Sequence, residues 1–143
     1  MTDSKHKKES PILRECHAFN LRQANLAVTA LYDAHLKKAG ITIQQYSVLR
    51  HIKELGPISI TELSEIMKLD RTTLSRNITL LGRRDLLDDV PSSGRKRLLC
   101  LTRQGLTVFS EAHRYWQDAQ EELEKRLGKT QMQDLEALLL AVL

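Results

Sequence analysis

Between Thr42 and Asp70 the chain offers a helix N-cap three times, and this crowding of start signals constrains the fold more than any other feature. Thr42 is followed by Gln45, and Ser59 by Glu62. That is the spacing of a capping box, in which the hydroxyl takes the amide of the third helical residue and the Gln or Glu side chain returns to the cap's own amide. Asp70 precedes RTTLSRNITLLGRR, and its carboxylate suits the unpaired amides of a first turn. Gly56-Pro57 stops the first of these segments. The spacing predicts three compact helices in succession, QQYSVLRHIKEL, TELSEIMK and the segment after Asp70, joined by tight connections.

The third of them has two unlike sides. With roughly 100° of turn per residue, Leu74, Ile78 and Leu81 fall together, while Thr72, Ser75, Arg76, Thr79 and Arg83 gather opposite. One side can dock and the other is left to touch solvent or a partner. At Leu86 the pattern changes. DDVPSSGRKRLLCLT places a Pro-Ser-Ser-Gly turn between extended segments over 87–90 and 97–101, which is hairpin chemistry. Thr102 then caps a helix of about 25 residues, RQGLTVFSEAHRYWQDAQEELEKRL, with Leu106, Phe109, His113, Trp116, Leu123 and Leu127 on one stripe. Gly128 ends it, and Thr130 with Gln133 is expected to open a last helix, apolar almost all round (LEALLLAVL). Ahead of Thr42, residues 11–38 predict a long helix, with Pro11 in its first turn and Gly40 just past its end. Its apolar positions are Leu13, Cys16, Phe19, Ala27, Leu31 and Ala34.

Six glycines, three prolines and few aromatics accompany this spacing, so the fold class expected is mainly α, with few strands. Charge is unevenly spread. Residues 71–103 hold eight Lys or Arg against three Asp, residues 1–70 hold ten against eight acids, and residues 104–143 hold four against seven. The basic middle attracts polyanions, with nucleic acid first among them and anionic membranes or acidic proteins as other takers. Cys16 and Cys100 are far apart, and the five histidines lack paired spacing, so neither a disulfide framework nor a metal site is expected. No cofactor is called for. The chain lacks a Gly-rich phosphate loop, a G-x-S-x-G elbow and an H-E-x-x-H pair, so no catalytic class is expected. No apolar run approaches a membrane span and MTDSKHKKES has no export core, so a cytoplasmic protein without membrane contact is expected, with residues 1–10 as a loose arm.

Helix, helix, a helix with a polar outer side and then a basic-tipped hairpin is the order of a winged helix-turn-helix. There the second helix of the motif enters the major groove and the wing approaches backbone and minor groove. The residues expected at double-stranded DNA are Arg71, Thr72, Thr73, Ser75, Arg76 and Thr79 on the helix, and Arg95, Lys96 and Arg97 on the wing. Arginine can pair bidentately with guanine, hydroxyls can bond phosphates or bases, and arginine is favoured in a narrow minor groove.

The ordered set GITIQQYSVLRHI, ITELSEIMKLDRTTLSRNITLLGRRDLL and GRKRLLCLTRQG resembles the MarR-type transcription regulators over nearly the whole chain. The resemblance implies a two-stranded wing, a helical dimerisation region from both termini and a homodimer on a pseudo-palindromic operator. It also implies a repressor released by a small effector, in the family often an aromatic acid, or by an oxidant. It divides the chain into an arm (1–10), a first dimerisation helix (11–39), a DNA-binding region (41–102) and C-terminal dimerisation helices (103–143). Where the family's wing reads Asp-x-Arg, this chain has Ser93-Gly94-Arg95, so a wing less braced before DNA arrives is expected.

His17, Tyr46, Arg50, Phe109, His113 and Trp116, with His51, are the candidates for an effector cleft between the dimer helices and the DNA-binding region. Arg50 and the histidines would meet a carboxylate and the rings would stack; the alternative is that Phe109 and Trp116 are simply core. Cys16 invites a redox-sensing reading. It falls about two residues before the sensing position of the family's peroxide-responsive members, a rotation of about 200° on a helix, and a small buried apolar side chain is expected instead. From another class, the rival is a protein-interaction module on the same scaffold that does not bind DNA.

Overall fold

The computed structural model describes residues 10, 12, 15–94 and 96–143. In chain order the elements are α1 (His17–Leu36), a 3-10 turn (Lys37–Ala39), α2 (Ile43–Leu55), β1 (Ile58–Ser59), α3 (Ile60–Met67), α4 (Arg71–Arg83), β2 (Leu87–Val90), β3 (Leu98–Leu101), α5 (Arg103–Leu127) and α6 (Lys129–Leu140). The capping signals set the starts of four of them. Thr42 accepts from the Gln45 amide while the Gln45 side chain accepts from the Thr42 amide, and Ser59 and Glu62 repeat the exchange. Asp70 caps α4, and Thr102 caps α5 through the Gly105 amide.

Four expectations need correction. Helix α1 begins at His17 instead of Pro11: the Ile12 carbonyl accepts the amides of Glu15 and Cys16 in a turn, and Cys16 is extended. Pro11 and Leu13 lie outside the described residues. Cys16 is exposed, as are Ala27 and Ala34, and the buried side of α1 is its C-terminal part, Leu31, Tyr32 and Leu36. The last helix opens at Lys129 straight after Gly128, which ends α5 as well, so Thr130 lies inside the first turn of α6 and does not cap it. The sheet has three strands in the order β1-β3-β2, all antiparallel. Beside the expected hairpin, Ile58 pairs with Leu99 and Ser59 with Leu98, so the wing's inner strand is anchored to the turn ahead of α3.

One core joins α2, α3, α4, the sheet and the start of α5 through Tyr46, Leu49, Ile52, Leu63, Leu74, Leu81, Leu86, Leu99 and Phe109. A smaller cluster of Leu31, Tyr32 and Ala119, with Trp116 and Leu123 against it, joins α1 to α5. His35 of α1 meets Glu122 of α5 at 2.6 Å (Nε2 to Oε2), and His35 first, then Arg126, hold the Glu122 carboxyl below the usual carboxylate range. On α5 the buried side is Gly105, Phe109, Ala112 and Ala119, while Leu106 and Leu127, expected on the stripe, are exposed at its two ends. None of the residues of α6 is buried.

Candidate nucleic-acid interface

Helix α4 is presented by its leucines. Leu74 and Leu81 are fully buried and Ile78 nearly so, which fixes the rotation of the helix and turns Arg71, Thr72, Arg76, Thr79 and Arg83 to the surface. Thr73 and Ser75 are half-buried. The Thr73 hydroxyl is taken up by the cap: it donates to Asp70 Oδ2 at 2.6 Å while the Thr73 amide donates to Oδ1 at 2.8 Å. The Thr79 hydroxyl donates back to the Ser75 carbonyl at 2.9 Å, leaving its lone pairs outward. Lys68, in left-handed backbone at φ 53°, ends α3 and makes the turn of the motif.

The Thr73 donors hold the Asp70 carboxyl below its ordinary value. A depressed folded-state value means that the cap is complete above the ordinary carboxylate pKa of about 4 and is lost as pH falls through the lowered one. The Thr73 amide chemical shift should therefore titrate with a midpoint below about 4; a midpoint above it would show that the cap does not form in solution.

At the start of α4 the surface is concave. A groove of about 450 Å³ is lined by Arg71 of α4, Lys96 and Arg97 of the wing, Ser59 and Thr61 at the start of α3, and Glu62 and Glu65. Glu62 is committed to its capping box, with its carboxyl lowered by Ser59 first and by Lys96 least. The groove thus joins the first turn of the surface helix to the base of the wing, two features that sequence reasoning had placed separately. The wing is tied in two places: Arg97 Nε meets Asp89 Oδ1 across the strands at 2.5 Å, and the Ser92 hydroxyl donates to the Lys96 carbonyl at 2.5 Å. Neither contact involves Ser93 or Gly94. Arg95 lies outside the described residues, and its role rests on the sequence alone.

The effector candidates separate into two places. Tyr46, Phe109, His113 and Trp116 form one stack, with ring centroids 5.4 to 6.4 Å apart and nearly parallel planes. Tyr46 Oη and His113 Nδ1 share a hydrogen bond of 2.9 Å, and burial pushes the phenol above its ordinary value while Arg50 pulls it down. Arg50 covers the Trp116 ring at 5.0 Å and Lys53 the Phe109 ring at 5.3 Å. Lys53 was not anticipated, although its spacing of three from Arg50 on α2 was readable. His17 is elsewhere: it lines an apolar groove of about 650 Å³ between α1 and α6. His51 turns back to the Ser47 carbonyl of its own helix. Cys100 is half-buried in β3. Among the described residues no group of three or more His, Cys, Asp or Glu is placed to hold a metal ion, and no helix is long and apolar enough to cross a membrane.

Comparison with known proteins agrees with this geometry. Residues 39–98 match the sequence profile of the MarR family. The multiple antibiotic resistance protein MarR of Salmonella typhimurium is 31% identical over 116 residues, covering 79% of this chain and 81% of that protein. The MarR protein of Escherichia coli is 29% identical over 136 residues, with 93% and 91% covered. A crystal structure of a mutant MarR from E. coli complexed with operator DNA superposes with a TM-score of 0.83 at 26% identity, covering 94% of this chain and 99% of that one. The repressor CouR bound to p-coumaroyl-CoA shares the fold, with a TM-score of 0.87 at 20% identity over 95% and 97% of the two chains.

Proposed function

From the premise that the chain belongs to the MarR family, we propose that it is a sequence-specific DNA-binding repressor, acting as a homodimer on a palindromic operator and released by a small molecule. The observation that carries the reading is the rotation of α4. Its buried leucines hold an exposed Thr72, Arg76 and Thr79 flank beside a groove that joins Arg71 to the wing cations Lys96 and Arg97. Arg76, with Thr72, Thr73, Ser75 and Thr79, is assigned to base edges and adjoining phosphates, and Arg71, Arg95, Lys96 and Arg97 to the backbone and minor groove. Such a protein works where the DNA is, in the cytoplasm, and has no need of catalysis. The rival, a protein-interaction module on the same scaffold, would show no sequence preference among duplexes.

The test is affinity for a palindromic duplex, selected by the protein from a randomised pool, as salt is raised. Counterion release makes the dependence steep, and Lys96→Ala should make the log-log slope shallower by about one. Arg76→Ala should cost about 1–3 kcal/mol on the selected duplex and little on a random one, because a bidentate contact to guanine is sequence information. Equal losses on both duplexes, or affinity indifferent to salt, would remove the reading.

The effector is assigned to the half-buried Arg50, His113 and Trp116 edge of the aromatic stack joining α2 to α5, with Tyr46 and Phe109 belonging to the core. The two cations that α2 sets over these rings favour an aromatic carboxylate, with Arg50 and Lys53 as its charge partners. Aromatic acids that bind the folded protein should raise its melting temperature by mass action and weaken operator binding. Arg50→Ala should abolish both effects; their survival in that variant would move the effector elsewhere.

A further inference from the structure

Arg84 is one of the basic residues of the middle third, where charge alone would assign it to attracting a polyanion, but its exposed guanidinium donates a hydrogen bond within the protein. It follows α4 as its C-cap and reaches the corner between the 3-10 turn and α2, where Nη1 donates to the Gly40 carbonyl at 2.5 Å. The match is electrostatic as well as geometric, because the carbonyls at the end of α1 and its 3-10 extension carry the negative end of the helix dipole. Gly40 sits at φ 71°, and a side chain there would begin 3.2 Å from Arg84 Nη2, so the guanidinium rests against the bare glycine.

A second contact holds the same helix further back. Asn77 Nδ2 donates to Gln44 Oε1 of α2 at 2.7 Å and to the Thr73 carbonyl at 3.2 Å. Asn77 and Arg84 are separated by seven positions, about 10 Å along a helix. With Leu74, Ile78 and Leu81 seating the helix on the core, the two polar contacts fix it along its length relative to α2 and the Gly40 corner. Both anchors lead to the α1–α2 corner, and that corner is fastened to α1 by Asp33, whose Oδ1 accepts the Ile43 amide at 2.7 Å.

We infer that Arg84 is a positioning residue: by tying the end of the DNA-reading helix to the Gly40 corner, it transmits the geometry of the dimer helices to the tilt of α4 and so sets which half-site spacing the two copies accept. The inference rests on the repressor reading above and extends it from what α4 touches to what aims it. Two half-sites must lie about one helical turn, 34–36 Å, apart for paired recognition helices, so tilt is read out as spacing.

The experiment measures binding of wild type, Arg84→Ala and Arg84→Lys to the selected palindrome and to versions with one base pair inserted or removed at its centre, with salt slopes, melting temperatures and sedimentation for each protein. Wild type is expected to prefer the selected spacing by at least about 30-fold. Arg84→Ala is expected to bind that duplex about 10-fold more weakly and to discriminate spacings by less than about 3-fold, with the salt slope and the dimer unchanged. Arg84→Lys, which keeps one donor, should recover part of the discrimination. Unaltered spacing preference in Arg84→Ala overturns the inference. So does a slope shallower by about one, which would make Arg84 a phosphate contact, or a weakening matched by loss of the dimer or of the folded state in both variants. Wild type that selects no duplex overturns the repressor reading, and the inference with it.

Discussion

Gly105→Ala is expected to cost about 3 kcal/mol or more of stability, although alanine is the better helix former by about 1 kcal/mol. Gly105 is buried in the first turn of α5, and a Cβ placed on it would lie 2.1 Å from the Leu86 carbonyl oxygen and 3.0 Å from its carbon. Both are backbone atoms at the exit from α4, so no side chain can swing aside to make room. Relief requires α5 to retreat from that strand entry by more than an ångström. The retreat would break the bonds that seat the helix there, from the Thr102 amide to the Leu86 carbonyl at 3.1 Å and from the Thr102 hydroxyl to the Asp85 carbonyl at 2.6 Å. Gly82→Ala is the matched control. It lies in α4 with nothing described within 4 Å of the added carbon, and should stabilise by up to about 1 kcal/mol. Urea unfolding at one fixed protein concentration separates the two; a Gly105→Ala midpoint equal to that of the parent would mean that the close approach of α5 to Leu86 is absent in solution.

Gly105 also marks where the sequence stops being legible. Nothing in RQGLTV distinguishes a glycine kept for close approach from one merely tolerated, because the atom it avoids belongs to a residue that only the folded chain brings near. The same holds for β1. Two residues carry no alternation, and Ile58 and Ser59 become a strand only because Leu99 and Leu98 arrive beside them. Local chemistry, by contrast, was readable wherever both partners lie within one turn: the boxes at Thr42 and Ser59, the caps at Asp70 and Thr102, and the Leu74, Ile78, Leu81 face. Thr130 with Gln133 shows the limit of that signal. The spacing of a capping box is present, but Gly128 both ends α5 and starts α6, so the threonine is already inside the helix. In the candidate interface, the outward flank of α4 followed from periodicity. The Asp89–Arg97 tie and the Arg84–Gly40 contact did not, since each depends on a register or a corner that spacing along the chain does not encode.

Replacing Leu138 and Val142 together by aspartate is expected to turn the protein into a monomer at micromolar concentration and to weaken operator binding by a factor of about 10² or more. The side chains of α6 and of the three residues after it make the argument. Leu138, Leu140, Val142 and Leu143 are 67%, 71%, 79% and 100% exposed, and Leu21 and Leu26 of α1 are more than half exposed. Leu21 lines the same apolar groove as Leu138 and Val142, so this is one continuous surface formed by both ends of the chain. A leucine removed from water contributes about 1.5–3 kcal/mol, and a patch of this kind on an isolated chain usually marks an interface. A second copy is the occupant that the proposed function requires, because a palindrome demands two reading helices related by a two-fold axis. Two aspartates per chain remove that burial and place four carboxylates in the contact, which no rearrangement of the neighbouring leucines can solvate. The lobe that reads DNA lies elsewhere, so each monomer should retain its half-site contacts and lose only the gain from linking them. Leu55→Asp, about half exposed at the end of α2, is the control and should sediment as the parent does. If the double variant remains a dimer with full operator affinity, the two reading helices are held together by some other surface.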